Sequence, residues 1–258
     1  MKNRLLKSFI LLLSISSLSA NSYSFRKYQH VKEFYKELTP LAIEVSNKHN
    51  LPAAAVLAIA GLESGYGSGY VAQITGNILS LGAFKSDSEL PRLFLPYSTT
   101  KKAVLFDPKE INKHLKADLT WKKRPRSYKR DYRPKPYAGT KNKLELLKYN
   151  PQFKREAHKA CLNDFATRWI YASSNIKAFK ETRAWLNQNI KRSGKEILFS
   201  MNLNIGFIDN IGGVPNSFNY RKTWPKKVKL IMNRVGLVQL VDQIHNKHMS
   251  FNEAWSEK

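Results

Sequence analysis

Apolar residues recur every three or four positions across residues 28–49, a spacing typical of an amphipathic helix. The apolar face consists of Val31, Phe34, Leu38, Leu41, Ala42 and Val45. Pro40 interrupts this pattern, so we expect a kink or a break into two helices there. Residues 53–62 are all small or aliphatic, which predicts a helix that is buried on most of its surface. The two helices are expected to pack on each other.

The rest of the chain alternates between irregular and helical stretches. Residues 85–143 contain six prolines and show no sustained helical period, apart from a possible short helix at 108–117. Beyond them the pattern predicts helices over 143–150, 152–166 and 175–190, a short strand at 169–171, and a helix that begins at Pro225. The core stripe of this last helix is Val228, Ile231, Met232, Val235, Val238 and Val241. These patterns predict a mostly helical domain.

A glutamate lies at the C-terminal end of the predicted apolar helix. Glu63 follows residues 53–62 directly, and the glycines at 65 and 67 are expected to stop the helix there. Burying a carboxylate anion is costly, so the pKa of Glu63 should be raised. A carboxyl group with a raised pKa can act as the general acid of glycoside cleavage. The alternative is a surface glutamate that merely ends a helix.

The residues around Glu63 also carry a family resemblance. Glu63-Ser64-Gly65-Tyr66-Gly67, then Ala72, then residues 76–82 with Asn77, is similar to the motif of the bacterial glucosaminidases of glycoside hydrolase family 73, which includes autolysins and Bax-like proteins. Tyr66 stands where tryptophan is common in that family. The resemblance implies an α+β, mostly α, lysozyme-like fold with a small β-hairpin lobe. It also implies hydrolysis of the glycan strand of peptidoglycan, with Glu63 as proton donor and Tyr66 and Asn77 at the substrate.

A second stretch, residues 218–232, resembles a later motif of the same family. Phe218 takes the place of a tyrosine in the substrate groove, Trp224 takes the place of a second tyrosine, and Tyr220 could supply the missing hydroxyl from a shifted loop. For the second catalytic group, which the family often draws from the hairpin lobe, we name Glu156. The acetamido group of the substrate is an alternative nucleophile.

The chain is strongly basic: it has 44 Lys and Arg but 19 Asp and Glu, which gives a formal net charge of +25. Such a surface favours polyanionic partners. Residues 120–143, within a long basic insert at about 85–160, hold ten Lys or Arg and four aromatic residues against one acid, Asp131. This composition suits a surface that lies on a polyanion or stacks on sugars, and it equally suits a solvated loop.

Residues 1–24 are typical of a secretory signal peptide. Lys2, Arg4 and Lys7 precede a short apolar run, and small residues follow. An uncleaved membrane anchor is the alternative, but the run is too short for a stable membrane span. We therefore expect an exported protein of the periplasm, cell envelope or extracellular space, without nucleic acid as a partner. The domain would cover residues 25–248, followed by a tail at 249–258.

One cysteine, Cys161, excludes an internal disulfide and is expected to be a small buried residue. His245 and His248 lack a third ligand nearby, so we predict neither a metal nor another cofactor. The leading hypothesis is an exported endo-β-N-acetylglucosaminidase whose partners are peptidoglycan glycan strands and other anionic envelope polymers. A lytic transglycosylase on the same fold and a non-catalytic cationic wall-binding protein are the alternatives.

Overall fold

The computed structural model describes residues 23–84, 86–114, 116–123, 132–171 and 176–257. Most of the signal-peptide prediction, and residues 124–131 of the basic segment, lie outside them. The α-helices are α1 Gln29–His49, α2 Ala53–Ser64, α3 Tyr70–Thr75, α4 Pro108–Ile111, α5 Leu146–Tyr149, α6 Pro151–Asp164, α7 Lys177–Ser193, α8 Met201–Ile211, α9 Trp224–Val235, α10 Leu237–His245 and α11 Phe251–Ser256. The strands are β1 Phe94–Ser98, β2 Ala103–Val104 and β3 Leu119–Lys123. Short 3₁₀ turns cover Lys116–Asp118, Lys141–Lys143 and Lys195–Phe199.

The fold is mostly helical with one small antiparallel sheet, which confirms the α+β, mostly α class. The strands are ordered β2-β1-β3, and Pro96 of β1 pairs with Trp121 of β3. The sheet and α4 interrupt the helical part between α3 and α5, within the proline-containing stretch. No helix in the described part of the chain combines the length and the apolar composition that a membrane span requires.

Helix α2 lies at the centre of the helical part. Residues 53–61 are all buried, so this helix has no polar face to turn towards water. Helices α1, α8, α9 and α10 surround it. At its N-terminus, Asn204 of α8 accepts a hydrogen bond from the backbone N–H of Ala55 at 2.8 Å and donates to the carbonyls of Leu198 and Ser200. This buried amide satisfies one of the N–H groups that the first turn of a helix leaves free.

The structure excludes a break at Pro40, one of the two alternatives predicted there, and the strand predicted at 169–171. Helix α1 does not break at Pro40. Because proline has no N–H, the carbonyl of Lys36 loses its helical hydrogen bond. Both residues lie on the exposed face of the helix, where water can take the place of the missing donor. The strand predicted at 169–171 is instead part of a π-helical turn, Phe165–Ile170, that continues α6. The β-preferring residues fit this turn because Trp169 packs on the ring of Phe179, so tertiary contacts override local propensity.

The predicted tail at 249–258 contains a helix. Helix α11 begins with a capping box between Ser250 and Glu253, and Ala254 and Trp255 are buried against the core. The long stripe predicted after Pro225 is divided into α9 and α10 by Gly236, which adopts a left-handed conformation. These C-terminal helices therefore belong to the domain.

Arg26 connects the first described residues to these last ones. Its guanidinium donates to the carbonyls of Val235, Ala254 and Trp255, each at 2.8 Å, and lies 4.2 Å from the centre of the Tyr23 ring. The Tyr23 ring fills the space at Gly236, where an added Cβ would lie 2.4 Å from it. The sequence places Tyr23 in the signal peptide, but the structure packs it against the domain.

Replacing Asn204 with alanine should lower the free energy of unfolding by about 2 to 3 kcal/mol, because it leaves the buried N–H of Ala55 unpaired and opens a small cavity. Chemical denaturation measures this loss. Asn189→Ala is the control, since this half-buried amide donates only within its own helix, to Trp185. It should cost less than about 1 kcal/mol. Equal losses in the two variants would contradict the assigned role of Asn204.

Candidate functional site

The end of helix α2 presents Glu63 beside a tight turn. Gly65 adopts a left-handed conformation (φ 57°), and its N–H donates to the carbonyl of Gly61. The Ser64 hydroxyl accepts a hydrogen bond from the N–H of Gly67 at 2.8 Å. The prediction that glycines stop the helix here is confirmed, because these bonds close the last turn with the chain in a conformation that favours glycine.

Glu63 is held by residues that lie some 160 positions further along the chain. Its Oε1 accepts a hydrogen bond from Nε1 of the buried Trp224 at 2.7 Å. Burial raises the pKa of Glu63, while hydrogen bonds from Trp224 and Asn219 and the charge of Arg221 lower it, and the net shift is upward. The predicted direction of this pKa shift is confirmed. The carboxyl group therefore keeps its proton to a higher pH than an exposed glutamate does.

The loop between α8 and α9, which carries Asn219 and leads to Trp224, is held by its own backbone hydrogen bonds. The N–H of Gly213 donates to the carbonyl of Asn219, and the N–H of Phe218 donates to the carbonyl of Ile211, each at 2.7 Å. These bonds hold the chain between α8 and α9 in a fixed loop, so Asn219 and Trp224 are presented to Glu63 from a rigid support.

Phe218 and Tyr220 lie in different surroundings. The Phe218 ring packs against Phe165, Trp169 and Trp224, with centroid distances of 5.6, 6.0 and 5.6 Å. It therefore supports the indole that bonds Glu63. The Tyr220 side chain is 69% exposed and is available to solvent or to a ligand.

Asn77 is engaged inside the protein. Its side chain donates to the carbonyl of Leu81 and accepts from the N–H of Leu81, both at 2.9 Å, and it donates to the carbonyl of Tyr132 at 3.4 Å. The motif asparagine thus fixes the shape of the loop after α3. It also ties that loop to Tyr132, the first described residue after the gap in the basic segment.

Tyr66 belongs to an aromatic cluster on α1. Its ring contacts His30, Phe34 and Tyr35 edge-on at centroid distances of 5.9, 6.2 and 6.0 Å. Burial raises its pKa to about 12, so the phenol stays protonated at any physiological pH. The Tyr66 ring is half-buried and forms part of the wall behind the turn.

A pocket of about 230 Å³ lies against Glu63. Asn77, Ser80, Tyr70 and Phe106 border it, and the Ser80 hydroxyl donates to the carbonyl of Glu63 at 3.1 Å. Phe106 is 50% exposed and follows β2, in a stretch where the sequence shows no period and no motif. Its carbonyl accepts a hydrogen bond from the N–H of Tyr70 at 3.1 Å, a contact between distant parts of the sequence, so the sequence gives no signal for it.

Glu156 lies elsewhere. Its side chain is 49% exposed on α6, pairs with Lys135 at 3.1 Å, and does not border the pocket at Glu63. Its selection as the second catalytic group therefore finds no support in the geometry. Cys161 is buried, and burial raises its pKa to about 12, so its thiol is not a nucleophile. Within the described ranges, no three His, Cys, Asp or Glu side chains are grouped as a metal site would require.

The chain matches no family model, no curated protein and no solved structure. Its function is therefore argued from the arrangement around Glu63. Glu63 borders a pocket, the pKa of its carboxyl group is raised, one of its oxygens accepts a hydrogen bond from an indole N–H, and an arginine lies nearby. Such a group can donate a proton to a ligand oxygen.

Gly212→Ala should disturb the support of Glu63, since an added Cβ would lie 2.3 Å from the Trp224 ring. We expect a loss of about 1 to 3 kcal/mol in the free energy of unfolding and a changed Trp224 indole resonance. Gly82→Ala is the control, because an added Cβ there meets nothing within 4 Å although Gly82 ends the sequence motif. It should be tolerated within about 0.5 kcal/mol. The reverse order of the two losses would contradict this packing.

Proposed function

We propose that the protein cleaves the glycan strand of peptidoglycan as an endo-β-N-acetylglucosaminidase, with Glu63 as general acid. The observation that carries the proposal is a carboxyl group with a raised pKa at the end of a buried helix, bordering an open pocket. A lysozyme-like arrangement is part of the proposal. In its support, the end of α2 and Phe106, two residues after strand β2 of the small antiparallel sheet, border the same pocket.

Proton transfer to the leaving oxygen is the step that Glu63 would perform. Glycoside cleavage needs an acid that is still protonated near the working pH and is held within reach of the glycosidic oxygen. Desolvation raises the pKa of Glu63 and so favours its protonated form, and the bond from Trp224 to Oε1 fixes the orientation. As the bond breaks, the anion that forms on Glu63 would be stabilised by Trp224, Asn219 and Arg221.

Mechanisms of glycoside cleavage differ in whether they need a second catalytic carboxylate besides the general acid. Of the residues that border the pocket within the described ranges, Glu63 is the sole carboxylate. This favours chemistry that needs one carboxyl group: attack by the acetamido group of the substrate, or a lytic transglycosylase that forms an anhydro product. Asp131 of the basic segment lies outside the described residues.

Export and attachment complete the proposal. A signal peptide in residues 1–24 would direct the chain across the membrane, and the net charge of +25 would hold it on an anionic cell wall. A purely wall-binding protein would use the same charge but would have no need for a desolvated acid in an open pocket. The raised pKa of Glu63 therefore favours the enzyme.

Glu63→Gln should lower the release of glycan fragments from purified peptidoglycan by about 100-fold or more, because a general acid contributes roughly that much. Reducing-end assays measure the rate, and mass spectrometry distinguishes hydrolytic from anhydro products. Glu156→Gln, an exposed ion-pair residue, is the matched control and should keep nearly full activity. Full activity of folded Glu63→Gln, or an inactive wild-type protein that binds the wall, would refute the proposal.

Trp224→Phe should move the alkaline limb of the pH–activity profile to higher pH. The indole N–H stabilises the ionised form of Glu63 and so lowers its pKa, and removing this donor lets desolvation raise the pKa further. Activity that depends on the protonated acid then persists to higher pH. Trp185→Phe, on α7 against Gly206, is the control and should leave the limb in place. A shift to lower pH would contradict the assignment.

A further inference from the structure

A second, larger cavity adjoins the one at Glu63. It has a volume of about 670 Å³, within the usual range for small-ligand sites, and lies among α3, β3, α5 and α6. Tyr70 and Ala72 border both cavities, so the two are adjacent at α3. The residues that border this cavity on β3, α5 and α6 belong to neither sequence motif.

A buried histidine, His158, borders this cavity and contacts the carboxylate of Glu37. The Nδ1 atom of His158, a residue that is only 3% exposed, lies 2.9 Å from Glu37 Oε1, and Lys154 Nζ lies 2.7 Å from Glu37 Oε2. Burial raises the pKa of Glu37, but the contacts with His158 and Lys154 outweigh it and hold the pKa at about 2. Glu37 thus places a carboxylate against Nδ1 of the imidazole, while His158 itself borders the cavity.

Aromatic rings form another wall. Trp121 of β3 is 41% exposed, and its ring stacks on Phe94 at 5.2 Å with an interplanar angle of 7°. The ring of Tyr70 lies 6.3 Å away, centroid to centroid. The indole is thus held rigidly by Phe94 while part of it still faces the cavity, as in sites that stack a flat ligand.

The charges at this cavity are balanced. Lys148 pairs with Glu145 at 3.1 Å, and Lys154 pairs with Glu37 at 2.7 Å. A ligand would therefore meet donors and acceptors together, with the Gln73 amide adding one of each. A phosphate or carboxylate would find its cations already neutralised, whereas a hydroxyl-rich ligand can bond to both members of the Lys148–Glu145 pair and to Lys154.

We propose that this cavity is a second saccharide-binding site, which takes an uncharged sugar unit of a glycan chain separately from the pocket at Glu63. Trp121 provides the stacking face, and His158, Gln73, Lys154 and the Lys148–Glu145 pair bind the hydroxyl and amide groups. That the sugar is N-acetylglucosamine rests on the proposed function. Two adjacent sites would let one protein hold a strand at one place and cleave it at another.

The test is a titration of folded Glu63→Gln protein with the soluble tetramer of N-acetylglucosamine, followed by NMR of the tryptophan indole N–H groups. The Trp121 resonance is identified as the one that disappears in Trp121→Phe. It should shift on titration, and it should still shift when Phe106→Ala alters the pocket at Glu63. Trp121→Ala and, separately, Gln73→Ala should each weaken this binding by about 10-fold.

Tyr28→Ala is the matched control, since Tyr28 is 43% exposed, as Trp121 is to a similar extent, and does not border the cavity. It should bind the tetramer as the parent does. A tetramer that moves only Trp224, or a Trp121 resonance that responds to inorganic phosphate and not to the tetramer, would overturn the proposal. An inactive wild-type protein whose Trp121 still responds would refute the proposed catalysis alone, and an active one without this response would refute the second site alone.

Discussion

The burial of helix α2 on every side is the constraint on which the rest of the structure depends. A helix without a polar face has to be covered all round, and α1, α8, α9 and α10 do so. Its ends are then the only places where polar groups can be satisfied or used. Asn204 satisfies the N-terminal end, and the C-terminal end carries Glu63 out of the core at a fixed position. Packing thus determines where the acid lies.

The electrostatic state of Glu63 results from opposing effects. Desolvation disfavours its anion, while Trp224, Asn219 and Arg221 favour it, and desolvation prevails. A carboxyl group balanced in this way can hold a proton and yet release it without leaving an unsolvated charge. The three partners are rigidly supported, because Phe218 packs on the indole and the loop before α9 is closed by its own hydrogen bonds.

The sequence predicts what depends on neighbouring residues: the helix over 53–62, its glycine stop and the upward pKa shift of Glu63. It also links Glu63 to Trp224, but only through the resemblance. The sequence does not predict the features that depend on contacts between residues far apart in the chain. Water on the exposed face keeps α1 whole at Pro40, and packing draws Trp169 into a helical turn. Phe106 borders the pocket, where its carbonyl accepts a hydrogen bond from the N–H of Tyr70, and Glu156 does not border it. No local sequence pattern indicates either outcome.

The contacts of Arg26 have a consequence for the order in which the chain can close. The carbonyls that receive its guanidinium belong to α9 and to α11, the last helix, and the gap that Tyr23 fills is at Gly236. A chain synthesised from its N-terminus therefore carries its first segment undocked until residues near 255 have been made. Completion of the domain is then a late event in its folding, and a truncation of the final helix would remove the contacts of residues 23–26 first.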